Sequence, residues 1–201
     1  MGSIRDAALR VTSVLESLGI AYALGGSYAS SVHGVARATQ DLDIIAAISS
    51  AHVPRFVAAL EHDCYVEAEM IRNALTEGRS FNVIDFATGF KIDIFPVNAH
   101  QLGLQQIRRR RLAESSVLGQ PPATLPVISA EDTLLVKLRW YRDGGQASER
   151  QWNDVRNIAV VQGDRLDLEY LDEWSRELGV HDLLAALLAE TKKGGVPDHH
   201  A

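Results

Sequence analysis

Three aspartates and one glycine-rich turn are the residues of this 201-residue chain whose types and spacing could do chemistry. Asp41 and Asp43 open the run DLDIIAAI (41–48), and residues two apart on a strand share a face. Their backbones then stand only about 6–7 Å apart, and carboxylates this close resist joint ionisation unless a cation lies between them. In GFKIDIF (89–95), alternation sets Lys91, Asp93 and Phe95 on one face and Ile92 and Ile94 on the other. If that segment lies beside 41–48, Asp93 completes a three-carboxylate cluster. Asp85 is a competing third member, ranked below Asp93 because its neighbours place it less clearly. An all-oxygen set of this kind suits Mg²⁺ or Mn²⁺. An isolated D-x-D is more often a pair of exposed edge charges. Here Leu42, Ile44, Ile45 and the IDIF run are too apolar for a casual edge, and a charge in a buried strand needs a partner.

The second feature is Gly25-Gly26-Ser27, which follows the apolar run IAYAL (20–24). A strand that runs into glycines and then a helix leaves backbone N–H groups free to hold an anion, and the Ser27 hydroxyl can donate as well. Alone the turn says little, since tight turns commonly carry glycine. It is neither a GxxxxGK[ST] nor a GxGxxG pattern. Set before the aspartates, it makes sense as a cradle for the phosphates of a metal-bound nucleoside triphosphate.

The elements that must position these residues can be read from periodicity. A helix is expected over 5–18, a strand over 20–24 and a short helix or turn from 27 to about 35. A strand over 41–48 follows, then a helix over 51–62 capped by Ser49 or Ser50. The alternating run 80–97, broken at Thr88-Gly89, predicts a hairpin. A short helix near 99–106 leads to the basic run Arg108–Arg111, expected to be a solvated run with a grip on an RNA backbone as its alternative role, and QPPATLP (120–126) reads as a connector. Helices are then expected at 129–144, 148–161, 167–178 and 181–191. The fold class is α/β (α+β), a mixed-sheet domain over 1–122 with a helical domain over 123–192 and a disordered tail over 193–201.

Composition narrows the function classes. The chain is 46% hydrophobic and 23% charged, with a net charge of −6, which argues against a general nucleic-acid coat. Cys64 is the only cysteine, so neither an intrachain disulfide nor a cysteine zinc site can form. No apolar stretch approaches the ~18 residues of a membrane span, and no signal-peptide pattern opens the chain. A cytoplasmic protein without membrane partners is expected.

The segment GGSYASSVHGVARATQDLDI (25–44) resembles the polymerase β nucleotidyltransferase superfamily. It is similar in particular to the AbiEii/AbiGii-type branch, enzyme toxins of type IV toxin–antitoxin systems, in which GG[ST]A…R-x-T-x-D-[IL]-D recurs. Arg37, Thr39, Asp41 and Asp43 match that pattern in place, and GFKIDIF matches the strand of the third carboxylate, Asp93. EDTLLVKLRW resembles the helix carrying the branch's functional lysine, here Lys137, and RQWNDVRNI the next helix with its acidic residue, here Asp154. Asn153 stands where that branch often has a basic residue.

The resemblance implies transfer of NMP from an NTP to an acceptor hydroxyl. Mg²⁺, or Mn²⁺, would be held by Asp41, Asp43 and Asp93. The NTP would contact Gly25, Gly26, Ser27, Arg37, Thr39 and Lys137, with Lys137 and Asp154 counted among the catalytic residues. It further implies RNA, such as a tRNA end, as acceptor and an antitoxin as partner. The residues themselves leave open a small-molecule or protein acceptor and a non-catalytic nucleotide- or partner-binding module.

Overall fold

A computed structural model describes residues 3–39, 41–99 and 101–193. The chain divides into two compact units, one over 1–32 and 36–129, the other over 33–35 and 130–201.

The first unit is built on a seven-stranded mixed sheet. It opens with helix α1 (Ile4–Ser17), whose N-terminus is closed by a reciprocal Ser3–Asp6 capping box. Then follow β1 (Tyr22–Leu24), α2 (Gly26–His33), β2 (Asp41–Ala46), α3 (Val53–Leu60), β3 (Cys64–Tyr65) and α4 (Ala68–Glu77). Next come β4 (Phe81–Asp85), β5 (Lys91–Pro96), α5 (Gly103–Arg109), β6 (Arg111–Ser115) and β7 (Ala123–Val127). The strand order is β3-β4-β5-β2-β1-β7-β6.

The expected hairpin is present as antiparallel β4 and β5, with Gly89 at φ +67° in its turn. On one face of these strands Leu42, Ile44, Phe81, Val83, Ile92 and Ile94 are buried. They belong to one apolar core with Val11 and Leu15 of α1, Phe56 and Leu60 of α3 and Ile71 of α4. Burial of such side chains contributes about 1.5–3 kcal/mol each. This alternation of buried and half-buried residues turns the acidic parity of β2 and β5 away from the core.

Two expectations from sequence are corrected, and a third, the arginine run, gains detail. The Pro-rich stretch expected to be a connector contains β7, which pairs parallel with β1 and antiparallel with β6. It thus belongs to the sheet, with Leu125 and Val127 buried. The arginine run, none of which is buried, is divided between two elements. Arg108 and Arg109 end α5, Arg111 begins β6, and half-buried Arg110 donates to the carbonyl of Ile107. The helix expected over 51–62 begins later, at Val53, and no side chain caps it. Ser49 instead engages His52 Nδ1 at 3.0 Å.

The second unit is helical, with α6 (Ala130–Asp143), α7 (Glu149–Gln162), a 3-10 turn (Gly163–Arg165), α8 (Leu168–Glu177) and α9 (His181–Lys193). Leu134, Leu135, Leu138, Val155, Ile158, Leu171, Val180 and Leu187 are among its buried apolar residues. Ser148 and Asp167 cap α7 and α8 by accepting from the backbone N–H of Gln151 and Tyr170. The expected tail lies outside the described residues from position 194 onward.

Candidate active site

The pairing of β2 with β5 brings the acidic residues together. The strands are parallel, with Asp41 beside Lys91 and Asp43 beside Asp93. Registered neighbours share a face, so Asp41, Asp43, Lys91 and Asp93 form one charged square, half-buried throughout. Lys91 Nζ lies 2.7 Å from Asp93 Oδ2. The Asp93 hydrogen bond foremost, with the charges of Asp93, Asp41 and Asp43, raises the Lys91 pKa against a smaller opposing effect of burial. Thr39 closes the other end, its hydroxyl donating to the Asp41 carbonyl at 2.7 Å and lying 3.3 Å from Asp41 Oδ1.

The glycine turn abuts this square. β1 runs antiparallel to β2 with Leu24 opposite Ile44, which carries Gly25 to Asp43. The Gly25 N–H donates to the Asp43 carbonyl at 2.8 Å. Gly26 has φ +52°, and a Cβ added there would fall 1.6 Å from Asp43 Oδ2. Glycine is therefore required at 26 for a reason beyond approach to a ligand: the Asp43 carboxylate fills the space a side chain would need.

Ser27 lies in the first turn of α2, and Arg37 Nη2 donates to its hydroxyl at 3.0 Å. Ser31 fastens the following loop, its hydroxyl donating to the Ser27 carbonyl at 3.0 Å and to that of Arg37 at 3.2 Å. The turn, Arg37 and Thr39 are thus gathered around the head of β2 in one unit. Ser31 and Lys91 received no role from sequence. The Lys91 signal was its parity with Asp93; Ser31 has no signal without the folded loop.

Asp85 is not part of the square. It is buried at the end of β4, where Oδ2 accepts from the Thr88 N–H and hydroxyl at 2.9 and 2.7 Å and Oδ1 lies 3.6 Å from Arg10 Nε. Its role is to hold the hairpin turn.

Lys137 and Asp154 belong to the second unit, where they meet each other across α6 and α7. Lys137 Nζ donates to Asp154 Oδ2 at 2.9 Å, with side chains only 5% and 10% exposed. Lys137 is therefore not a surface lysine. Nearby in the same unit, the Tyr170 hydroxyl donates to buried Asp132 at 2.6 Å.

As the side chains stand, no three His, Cys, Asp or Glu residues among those described form a group that could hold a metal ion. The donor chemistry nonetheless fits Mg²⁺ or Mn²⁺, which take oxygen ligands and are commonly held by one or two carboxylates plus substrate phosphates. Asp41 and Asp43 supply such a pair, and the third carboxylate is engaged by Lys91.

No protein-family profile matches the chain, and no curated protein matches it. Solved structures do. An antigenic nucleotidyltransferase-like protein from Paracoccidioides brasiliensis is similar with a TM-score of 0.50 at 16% identity, covering 92% of each chain. ANT(2'')-Ia in complex with adenylyl-2''-tobramycin is similar with a TM-score of 0.50 at 12% identity, covering 86% of this chain and 94% of that one. The chain has the nucleotidyltransferase fold.

Proposed function

We propose that this protein is a divalent-metal-dependent nucleotidyltransferase that moves NMP from an NTP to an acceptor hydroxyl. The observation that carries the reading is the registry of Asp43 with Asp93 beside the Gly25-Gly26-Ser27 turn. On this reading Asp41 and Asp43 hold Mg²⁺ or Mn²⁺, joined by Asp93. The bound cation supplies neutralisation of phosphate charge and a more acidic acceptor hydroxyl.

The turn N–H groups, Ser27 and Arg37 take the phosphates, and Thr39 keeps Asp41 oriented. The acceptor oxygen bonds to the α-phosphorus as the bond from that phosphorus to the bridging oxygen breaks. Pyrophosphate leaves, and the hydroxyl proton passes to Asp93. Positioning and electrostatic stabilisation supply most of the rate in such transfers. Lys137 and Asp154, counted as catalytic on the family resemblance, act on this reading as a coupled pair within the helical unit, the aspartate holding the ammonium.

The acceptor proposed first is RNA, on the resemblance of residues 25–44 to the toxin branch, in which case an antitoxin is the expected protein partner. A small-molecule hydroxyl is the second acceptor, supported by the adenylyl-2''-tobramycin in complex with the structurally similar ANT(2'')-Ia. Among the described residues no helix is long and apolar enough to cross a membrane.

The test supplies each α-³²P-NTP with Mg²⁺ and a small-RNA pool, then aminoglycosides, beside an Asp43→Ala control. Label on a discrete RNA band, lost in the control, is the expected result. Label on an aminoglycoside alone moves the acceptor to small molecules. Absence of any Asp43-dependent pyrophosphate release refutes the reading.

A further inference from the structure

We propose that Lys91 is the site's built-in counter-ion, occupying Asp93 until a divalent cation displaces it and so setting how tightly that cation binds. The inference rests on the carboxylate reading above and concerns a residue that reading does not use.

Four observations converge on Lys91. Parallel registry sets it directly beside Asp41, while its own strand sets it two residues before Asp93 on the same face. Its ammonium reaches Asp93 at 2.7 Å, the contact that a metal ion at this cluster would need from that carboxylate. With Asp93 so engaged, no three acidic side chains converge on a common point among the described residues. Finally, the Lys91 side chain is 43% exposed, whereas that of Asp93 is 14% exposed. The flexible stem can therefore swing to solvent on giving up its contact with Asp93, while the carboxylate stays in place.

The physics is a competition. Three carboxylates on neighbouring strand positions repel one another, and a single ammonium relieves part of that repulsion when no metal is bound. A divalent ion brings twice the charge and must reach the same oxygen, and an ammonium left within a few ångströms would repel it. Cation binding then includes the cost of releasing Lys91 from Asp93. Removing the lysine removes both the competitor and the repulsion, so the expected effect is about tenfold tighter binding after solvent screening.

The experiment titrates Mn²⁺ into the full-length wild-type protein and the Lys91→Met, Lys91→Gln and Lys91→Arg variants by calorimetry, with free Mn²⁺ counted by electron paramagnetic resonance. Each is repeated with Asp43→Asn, and circular dichroism confirms folding. Kd for Mn²⁺ is expected to fall about tenfold in Lys91→Met and Lys91→Gln. Lys91→Arg stays near wild type, and Asp43→Asn weakens binding in every background. Asp43-dependent binding that is unchanged or weaker without the lysine overturns the proposal and leaves the active-site reading standing. Failure of both wild type and Lys91→Met to bind Mn²⁺ through Asp43 overturns both.

Discussion

Substituting Gly26 with alanine tests whether the glycine turn and the carboxylate strand are one mechanical unit. Two costs can be separated. Gly26 sits at φ +52°, where an L-residue is disfavoured, a penalty of about 1–2 kcal/mol. The new methyl would also lie 1.6 Å from Asp43 Oδ2, 2.6 Å from its Cγ and 3.0 Å from its Cβ. Turning the carboxylate alone leaves Cγ too close, so the whole Asp43 side chain or the strand must move. Forced repacking of this kind costs about 1–3 kcal/mol, for a total of about 2–5 kcal/mol. That is within the ~5–15 kcal/mol typical of a folded domain, so the variant should fold. Urea unfolding of Gly26→Ala, Asp43→Ala and the double variant measures the parts. In the Asp43→Ala background the two severe contacts are gone and only the 3.0 Å approach to Cβ remains, so Gly26→Ala should cost little more than the backbone penalty of about 1–2 kcal/mol. The two sites should therefore couple by about 1–3 kcal/mol. Equal cost of Gly26→Ala in both backgrounds would refute the argument that Asp43 is what requires glycine at 26.

Two further outcomes follow from other buried groups. Lys137→Met alone should destabilise the protein by about 3–5 kcal/mol because it takes the compensating ammonium away from buried Asp154, whereas Lys137→Met with Asp154→Leu should recover most of that loss. Urea unfolding reads the cycle; recovery of stability without recovery of transfer would show that the pair also serves the reaction. Burial first, then the charge of Asp85, pushes the Cys64 thiol up to about 11. The native protein should leave Ellman's reagent untouched at pH 8 and react once unfolded in guanidinium; rapid native-state reaction of one equivalent would contradict the buried placement.

Much of the site was legible locally. Strand parity alone put Asp41 with Asp43 and Lys91 with Asp93, because the side-chain period of a strand is a property of the backbone. The turn at Thr88-Gly89 and the helical periods of 130–193 were legible for the same reason. The sheet's far side was not: β7 carries Pro126 and follows two further prolines, signals that argue for a connector until β1 offers its edge.

The zero offset between β2 and β5 was equally invisible, since registry is fixed by how two distant apolar faces pack, not by either segment. Lys137 illustrates the limit most simply. Its helix reads as a lysine among leucines, and only the packing of α7 supplies an aspartate 17 residues away to hold it. Sequence by itself determined which residues share a face and that three aspartates and a glycine turn stand on segments able to bring them together. The tertiary structure decided which faces meet, that Lys91 stands at Asp93, and that Gly26 is glycine because Asp43 fills the space beside it. Those decisions belong to contacts between segments far apart in the chain, and local periodicity carries no information about them.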